Sequence, residues 1–280
     1  MKKYTQNKVN FKEKLQKFLE TIISYVSTPN GQWSIKGFID VYKNIYTISA
    51  DTKIVSKILE IHLFPKILEF AEHNNYKIVL ADHQNYYPDI SFIDKGNDAI
   101  KFAVDFKTTY RNPDNKESCN GFTLGSHGEY FINRSSRKNI QFPYDEYMGH
   151  FCFGIIYDRI ENEKIVETSP YKIQQLMSIP SVVMNFDFFI AEKWKIASDK
   201  SGSGNTANIG SINNIDDIKN ENGMFSKLGE EWFDDYWKNY NKIVKPGSNG
   251  EKIRNLHDFV LYRKGKIELI IPKRSGKNNG

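Results

Sequence analysis

The stretch from Asp89 to Lys107 constrains the fold of this chain most. Two apolar-alternating runs, Asp89-Ile90-Ser91-Phe92-Ile93 and Ile100-Lys101-Phe102-Ala103-Val104-Asp105-Phe106-Lys107, flank the turn formers Asp94-Lys95-Gly96-Asn97-Asp98. Such a pattern predicts an antiparallel hairpin. Period-two alternation puts Ile100, Phe102, Val104 and Phe106 on one face and Asp105 and Lys107 on the other. With the turn centred near Asn97, Asp89 falls directly opposite Asp105.

Directly opposed residues hold their Cβ atoms roughly 4.5 to 5.5 Å apart, and like charges placed so are destabilising. A divalent cation bridging both carboxylates would compensate, and oxygen-only ligation favours a hard ion such as Mg²⁺. Lys107, on the same face, would then hold an attacking water or the charge of a phosphate. The alternative is a plain solvated strand face, with Pro88 merely starting the strand. Spacing alone leaves both readings open, because acidic pairs near a lysine are common in a chain with 26% charged residues.

With 280 residues, 39% of them hydrophobic, the chain can bury a sizeable core as one large domain, or as a domain with a subdomain. Its 39 Lys and Arg against 34 Asp and Glu give a net charge of +5. That excess suits a polyanionic partner and equally a mixed-charge surface. No stretch approaches the roughly 18 to 20 apolar residues of a membrane span, and Met1 to Gln6 lead into polar sequence, so a cytoplasmic protein is expected. Cys119 and Cys152 lack metal-ligand spacing, which argues against a zinc site or a disulfide framework.

Along the chain, Phe11, Leu15, Phe18, Leu19, Ile22, Ile23 and Val26 recur at helical spacing until Pro29-Asn30-Gly31. Two short strands are expected at 33–41 and 44–48. A second helix starts at the N-cap Asp51, carries Glu60, and should bend or break at Pro65. Glu60 is either a wet-side residue or a third carboxylate aimed at the hairpin. Residues 111–147 read as irregular, with a basic knot from Arg134 to Lys138 suited to phosphates or simply solvated. Buried strands are expected at 150–157 and 181–190. The small-residue loop from Ser201 to Ser211 lacks the Gly-Lys-Ser/Thr of a phosphate-binding loop. Either it is a plain surface loop, or its glycines allow close approach and Asn205 offers a donor and acceptor pair to an adenine edge. Trp232, Phe233, Tyr236, Trp237 and Tyr240 read as a core-packing helix, and residues 275–280 as a disordered tail.

The ordered motifs Ala50-Asp51-Thr52-Lys53, Gln84-Asn85-Tyr86-Tyr87-Pro88-Asp89, Val104 to Tyr110, Phe122-Thr123-Leu124-Gly125, Lys138-Asn139-Ile140, Lys193-Trp194, Gly202 to Thr206 with Asn208 to Ile212, and Asp235-Tyr236-Trp237 resemble the EcoRV family of type II restriction endonucleases, in the PD-(D/E)xK nuclease superfamily. The resemblance spans nearly the whole chain apart from its ends. It implies an α/β (α+β) restriction-endonuclease-like fold: a central mixed β-sheet flanked by helices, in a single endonuclease domain with a small dimerisation subdomain that includes 33–48. It also implies a homodimer on double-stranded DNA, cutting GATATC bluntly at its centre with Mg²⁺.

By the same resemblance, Asp89 and Asp105 bind metal, Lys107 is catalytic, Glu60 is an accessory carboxylate, and the carbonyl of Phe106 adds a ligand. Gly202, Ser203, Gly204, Asn205 and Thr206 would read bases in the major groove, and His83, Gln84 and Asn85 would lie near the minor groove. Thr52, Thr109, Thr123 and Lys138 would approach the phosphate backbone. His83 and Ala207 depart from the family pattern, where a glutamine and a threonine stand, and an N-terminal extension has no counterpart there. Two other readings remain at this point: a DNA-binding module without catalysis, and a repair or structure-selective nuclease of the same superfamily.

Overall fold

In the computed structural model, residues 2–83, 85–160, 169–202 and 207–272 are described. The chain opens with α1 (Lys2–Val26), β1 (Gly37–Ile39), β2 (Asn44–Thr47) and α2 (Thr52–His73). Next come β3 (Tyr76–Leu80), β4 (Ile90–Asp94), β5 (Asn97–Tyr110), β6 (Thr123–Ser126) and the single turn α3 (Glu129–Ile132). Strands β7 (Tyr147–Arg159), β8 (Tyr171–Lys172), β9 (Val183–Glu192), β10 (Ala197–Ser201) and β11 (Asn208–Ser211) follow. Helices α4 (Ile215–Lys219), α5 (Glu230–Asn239) and α6 (Leu256–Tyr262) complete the order.

A central sheet runs β3-β4-β5-β7-β9. Its β5–β7 pair is parallel and its other pairs antiparallel, so the sheet is mixed, as expected. Helices α1 and α2 cover one face, where Phe11, Leu15, Leu59, Leu63, Phe92, Phe102, Val104, Phe151 and Phe153 form one core. On the other face, Tyr87, Ala103, Leu124, Phe131, Ile156, Phe189, Phe233, Tyr236 and Trp237 form a second. Strand β5 is therefore buried on both sides, its alternate side chains feeding two cores. The aromatic set of α5 packs inward, as its spacing predicts, with Phe233, Tyr236 and Trp237 buried.

The hairpin register matches the sequence arithmetic. Ile90 pairs with Val104, Ser91 with Ala103, Phe92 with Phe102 and Ile93 with Lys101, and one further step sets Asp89 against Asp105. The turn itself differs: Asp94 pairs with Asn97 around Lys95-Gly96, and an irregularity in β5 restores the register beyond it. The Asp94 carboxylate accepts the Gly96 N–H at 2.8 Å, which closes this tight turn.

Three further expectations are corrected. Helix α2 does not break at Pro65 but runs on to His73, because Ile67, Phe70 and Ala71 beyond the proline are buried against the sheet. Burying those side chains outweighs the roughly 3 kcal/mol that an interior proline costs. The segment 111–147 is not irregular throughout, since β6 and α3 lie within it; β6 pairs with β11 in a separate sheet ordered β10-β11-β6. The first of the two short strands is only Gly37–Ile39, joining β2 and β8 in a third small sheet. The tail at 275–280 lies outside the described residues.

Candidate active site

Asp89 closes the loop that enters β4, and Asp105 and Lys107 ride on the second half of β5. The carboxylate of Asp89 accepts the backbone N–H of Phe106 at 2.7 Å, which ties the two strands at the point where their acids meet. Lys107 Nζ lies 2.5 Å from Asp105 Oδ2. Upstream, the backbone of Tyr87 is clamped to the following basic loop, its N–H donating to the Asn139 carbonyl at 3.1 Å and its carbonyl accepting from Gln141 N–H at 2.8 Å. The Tyr87 hydroxyl lies 3.1 Å from His150 Nδ1 inside the second core. Asp89 therefore follows a clamped stretch of backbone and is tied to β5 through its side chain.

The electrostatics follow from that confinement. Burial, then the neighbouring Asp105 carboxylate, push the Asp89 carboxyl up from 3.8 to about 7. Burial disfavours the charge on Lys107, but Asp105 and Asp89 outweigh it and raise the ammonium above its ordinary value. Burial and the facing Asp105 carboxylate thus oppose a second negative charge on the pair. Among the described residues, no group of three or more His, Cys, Asp and Glu side chains is gathered closely enough to form a complete metal cage. Two facing carboxylates with open sides suit Mg²⁺, which keeps several waters and takes one or two carboxylates plus a substrate phosphate.

Glu60 comes to the same place from α2. With Lys57, Ile61, Phe64, Leu80, His83, Asp89 and Phe106 it lines a cleft of about 310 Å³ beside the acidic pair. Its carboxylate is held by Lys57 Nζ at 2.7 Å and faces the Ser56 hydroxyl at 3.4 Å. Lys57 also feels the charge of Asp89. It was not singled out in the sequence, although its position one helical turn before Glu60 was a usable signal.

The remaining expected contacts are distributed unevenly. His83 lines the cleft, Asn85 is exposed two residues further along the chain, and Gln84 lies outside the described residues. Thr123 on β6 touches Gly202, where an added Cβ would come within 2.6 Å of the threonine methyl. Ser203, Gly204, Asn205 and Thr206 lie outside the described residues. Lys138 is exposed in the loop that clamps Tyr87. Thr52 begins α2 and its hydroxyl accepts from Arg159, whose guanidinium stacks 3.6 Å from the Tyr110 ring. Thr109 is 3% exposed and its hydroxyl donates to the Asn120 carbonyl at 2.6 Å, so it is committed inside the protein.

Two aspartates meeting across adjacent strands of a mixed sheet, with a lysine two residues beyond the second, fit the pattern of a nuclease of the PD-(D/E)xK restriction-endonuclease type. Comparison with known proteins narrows this class. The family model described as Restriction endonuclease EcoRV matches residues 29–264. The chain is also 34% identical over 245 residues to the Type II restriction enzyme EcoRV of Escherichia coli, a match covering 86% of this chain and 96% of that relative. It belongs to the EcoRV family of type II restriction endonucleases, and is thereby a type II site-specific deoxyribonuclease.

Proposed function

We propose that this enzyme hydrolyses DNA phosphodiester bonds with Mg²⁺ at a short palindromic site, GATATC, cutting bluntly at its centre. The observation that carries the chemistry is the Asp89–Asp105 pair, too repulsive to stay doubly charged alone and flanked by the protonated Lys107. Asp89, Asp105 and the Phe106 carbonyl would hold the metal, with Glu60 as an accessory acid on the cleft wall. When bound, the metal supplies a water of lowered pKa and neutralises charge on the phosphate.

The chain's own residues supply the rest. Lys107 keeps its proton and places a positive charge where the attacking and phosphoryl oxygens gather. The Phe106 N–H fixes one Asp89 oxygen beside the Asp105 carboxylate. Ile61, Phe64 and Leu80 give the cleft an apolar wall that limits water beside the reacting phosphate. The loop from Gly202 to Thr206 would read bases in the major groove, with His83, Gln84 and Asn85 near the minor groove. Thr52, Thr123 and Lys138 would meet the backbone, as would the segment around Thr109.

A palindrome is matched by a two-fold dimer in which each subunit cuts one strand. The small β1-β2-β8 sheet supports that reading, because Phe38, Ile39, Val41 and Tyr42 are exposed on it, with Met177 exposed nearby. Such an apolar patch fits a second copy of the chain. No helix among the described residues is long and apolar enough to cross a membrane. Digesting a plasmid of known sequence with Mg²⁺ and sequencing the ends tests the proposal. Blunt ends at GATATC are expected, lost in Asp89→Ala and Lys107→Ala; normal cutting by either variant would overturn the site assignment.

A further inference from the structure

Helix α1 ends at Val26, ahead of the family-matched residues 29–264, and it docks through two faces. Phe11 and Leu15 enter the first core. Lys8 and Lys12, one turn apart, instead carry their ammonium groups to the end of the edge strand β9 and to acids that follow α4 and open α5. Lys8 Nζ reaches Glu192 Oε2 at 2.6 Å and Glu230 Oε2 at 3.4 Å, and Lys12 pairs closely with Glu221. The backbone leaves room for this. A Cβ at Gly149 would come within 2.9 Å of Lys8 Cδ.

Those acids meet at the root of the hairpin formed by β10 and β11. Glu192 closes β9, and the turn Lys193–Ile196 leads from it directly into β10, which runs on to Ser201 and Gly202. Lys195 in that turn pairs with Glu192 at 2.8 Å and Glu221 at 3.2 Å. Glu221 Oε1 accepts the Glu192 N–H at 2.6 Å, and the Lys195 carbonyl accepts the Gly223 N–H at 2.9 Å. The Ile196 carbonyl takes the Ile212 N–H at 2.9 Å, which joins the two strands beside the turn. Glu221 itself holds φ at +54°, in the left-handed position after α4 where glycine is usual. A glutamate there places its carboxylate within reach of Lys12, Lys195 and the Glu192 N–H.

Three lysines face three glutamates here, drawn from α1, from the turn after β9 and from the segment between α4 and α5. Replacing such pairs by apolar groups often costs no stability, so their place at a junction of three segments reads as fixing a geometry. We infer that α1 clamps the root of the β10–β11 hairpin, with Lys8 and Lys12 as positioning residues for discrimination between DNA sequences. The consequence for DNA rests on the base-reading role proposed for Gly202 to Thr206. A hairpin held at its root loses less conformational freedom when its loop meets the right bases. The clamp therefore tightens binding of the right sequence and leaves the rate at saturation almost unchanged.

The test compares the parent with the double variant Lys8→Met, Lys12→Met, with Lys12→Arg, which keeps the charge, and with Lys17→Met, an exposed lysine of the same helix. Should the double variant not fold, Lys12→Gln alone takes its place. Amide hydrogen exchange without DNA reads the clamp. The bonded Gly202, Ser211 and Ile212 N–H groups should exchange about tenfold faster in the double variant, while amides pairing β4 with β5 keep parental rates. Equal acceleration in both sheets, or none in the hairpin, overturns the clamp. Single-turnover cleavage then reads the consequence, on a duplex the parent cuts and on duplexes altered at one base pair. Half-saturation of the first should need about tenfold more protein, with the saturating rate within about threefold, and preference over altered duplexes should fall about tenfold. Lys12→Arg and Lys17→Met should match the parent in both assays. An equal loss on every duplex refutes the role in discrimination. A parent that cuts all duplexes alike, with the hairpin still loosened in the variant, removes the base-reading role and leaves the clamp standing.

Discussion

Replacing Asp89 with asparagine should make the metal-free protein more stable while destroying its activity. The carboxyl titrates at about 7 in the fold against 3.8 as the ordinary value. A group whose folded pKa is raised contributes no difference below 3.8, where folded and unfolded chains both carry the proton. Between 3.8 and about 7 the unfolded chain ionises first, so stability falls as pH rises, and above about 7 the loss is complete. Each pH unit of separation is worth about 1.4 kcal/mol, giving a ceiling near 4 kcal/mol. Asparagine keeps the acceptor for the Phe106 N–H, so the substitution removes the charge and little else. Urea denaturation in EDTA should show Asp89→Asn more stable than the parent by about 2 to 4 kcal/mol at pH 8 and nearly equal to it below pH 4. An asparagine variant no more stable than the parent at pH 8 would refute the claim that the pair is strained without metal.

Phe11→Ala should cost about 3 to 5 kcal/mol in the same denaturation assay, because the ring is fully buried and stacks on Phe102 at 4.1 Å. A smaller loss would mean that α1 contributes little to the core. Val41→Asp places a charge on a side chain 89% exposed in the apolar patch of the small sheet. Sedimentation should find dimer affinity about 30-fold weaker, for an interface residue worth about 2 kcal/mol, with stability unchanged. Glu60→Gln should slow cleavage about tenfold in a single-turnover assay and Asp89→Ala at least about a hundredfold. Equal losses would make Glu60 a full partner of the pair.

The hairpin was legible because alternation fixes which residues share a face, and one wrong step would have inverted every side chain. Even so, the turn was placed near Asn97 when the chain closes at Lys95-Gly96. Register survived because the irregularity in β5 absorbs the difference. What alternation could not show is that β5 is buried on both faces, since its parallel partner β7 arrives only after a long crossover and brings the second core with it. The α1 stripe was legible as a helix, but not that Phe11, in the extension without family counterpart, would stack at the heart of the core. Pro65 misled because local propensity knows nothing of Ile67 and Phe70 packing beyond it. Lys193 was legible only as part of the motif Lys193-Trp194: beside Glu192 and Lys195 it reads like a surface charge, and only the fold turns it inward.

The acidic pair and the N-terminal helix are linked by the size of what each contributes. Keeping Asp89 ionised beside Asp105 costs the metal-free fold up to about 4 kcal/mol, a large share of the 5 to 15 kcal/mol by which proteins of this kind are stable. The stacked Phe11 returns a comparable amount from a different place. Phe11 touches the rings of Phe70, Tyr76, Phe92, Phe102 and Phe151, whereas Asp89 is bonded to the Phe106 backbone and faces Asp105. The two sets share no partner, so their effects should add. Combining Asp89→Asn with Phe11→Ala should therefore leave the metal-free protein within about 3 kcal/mol of the parent at pH 8, although each single variant departs strongly and in opposite directions. A double variant as unstable as Phe11→Ala alone would mean that the charge relief depends on an intact core above the strand, and that the site and its scaffold are one coupled unit.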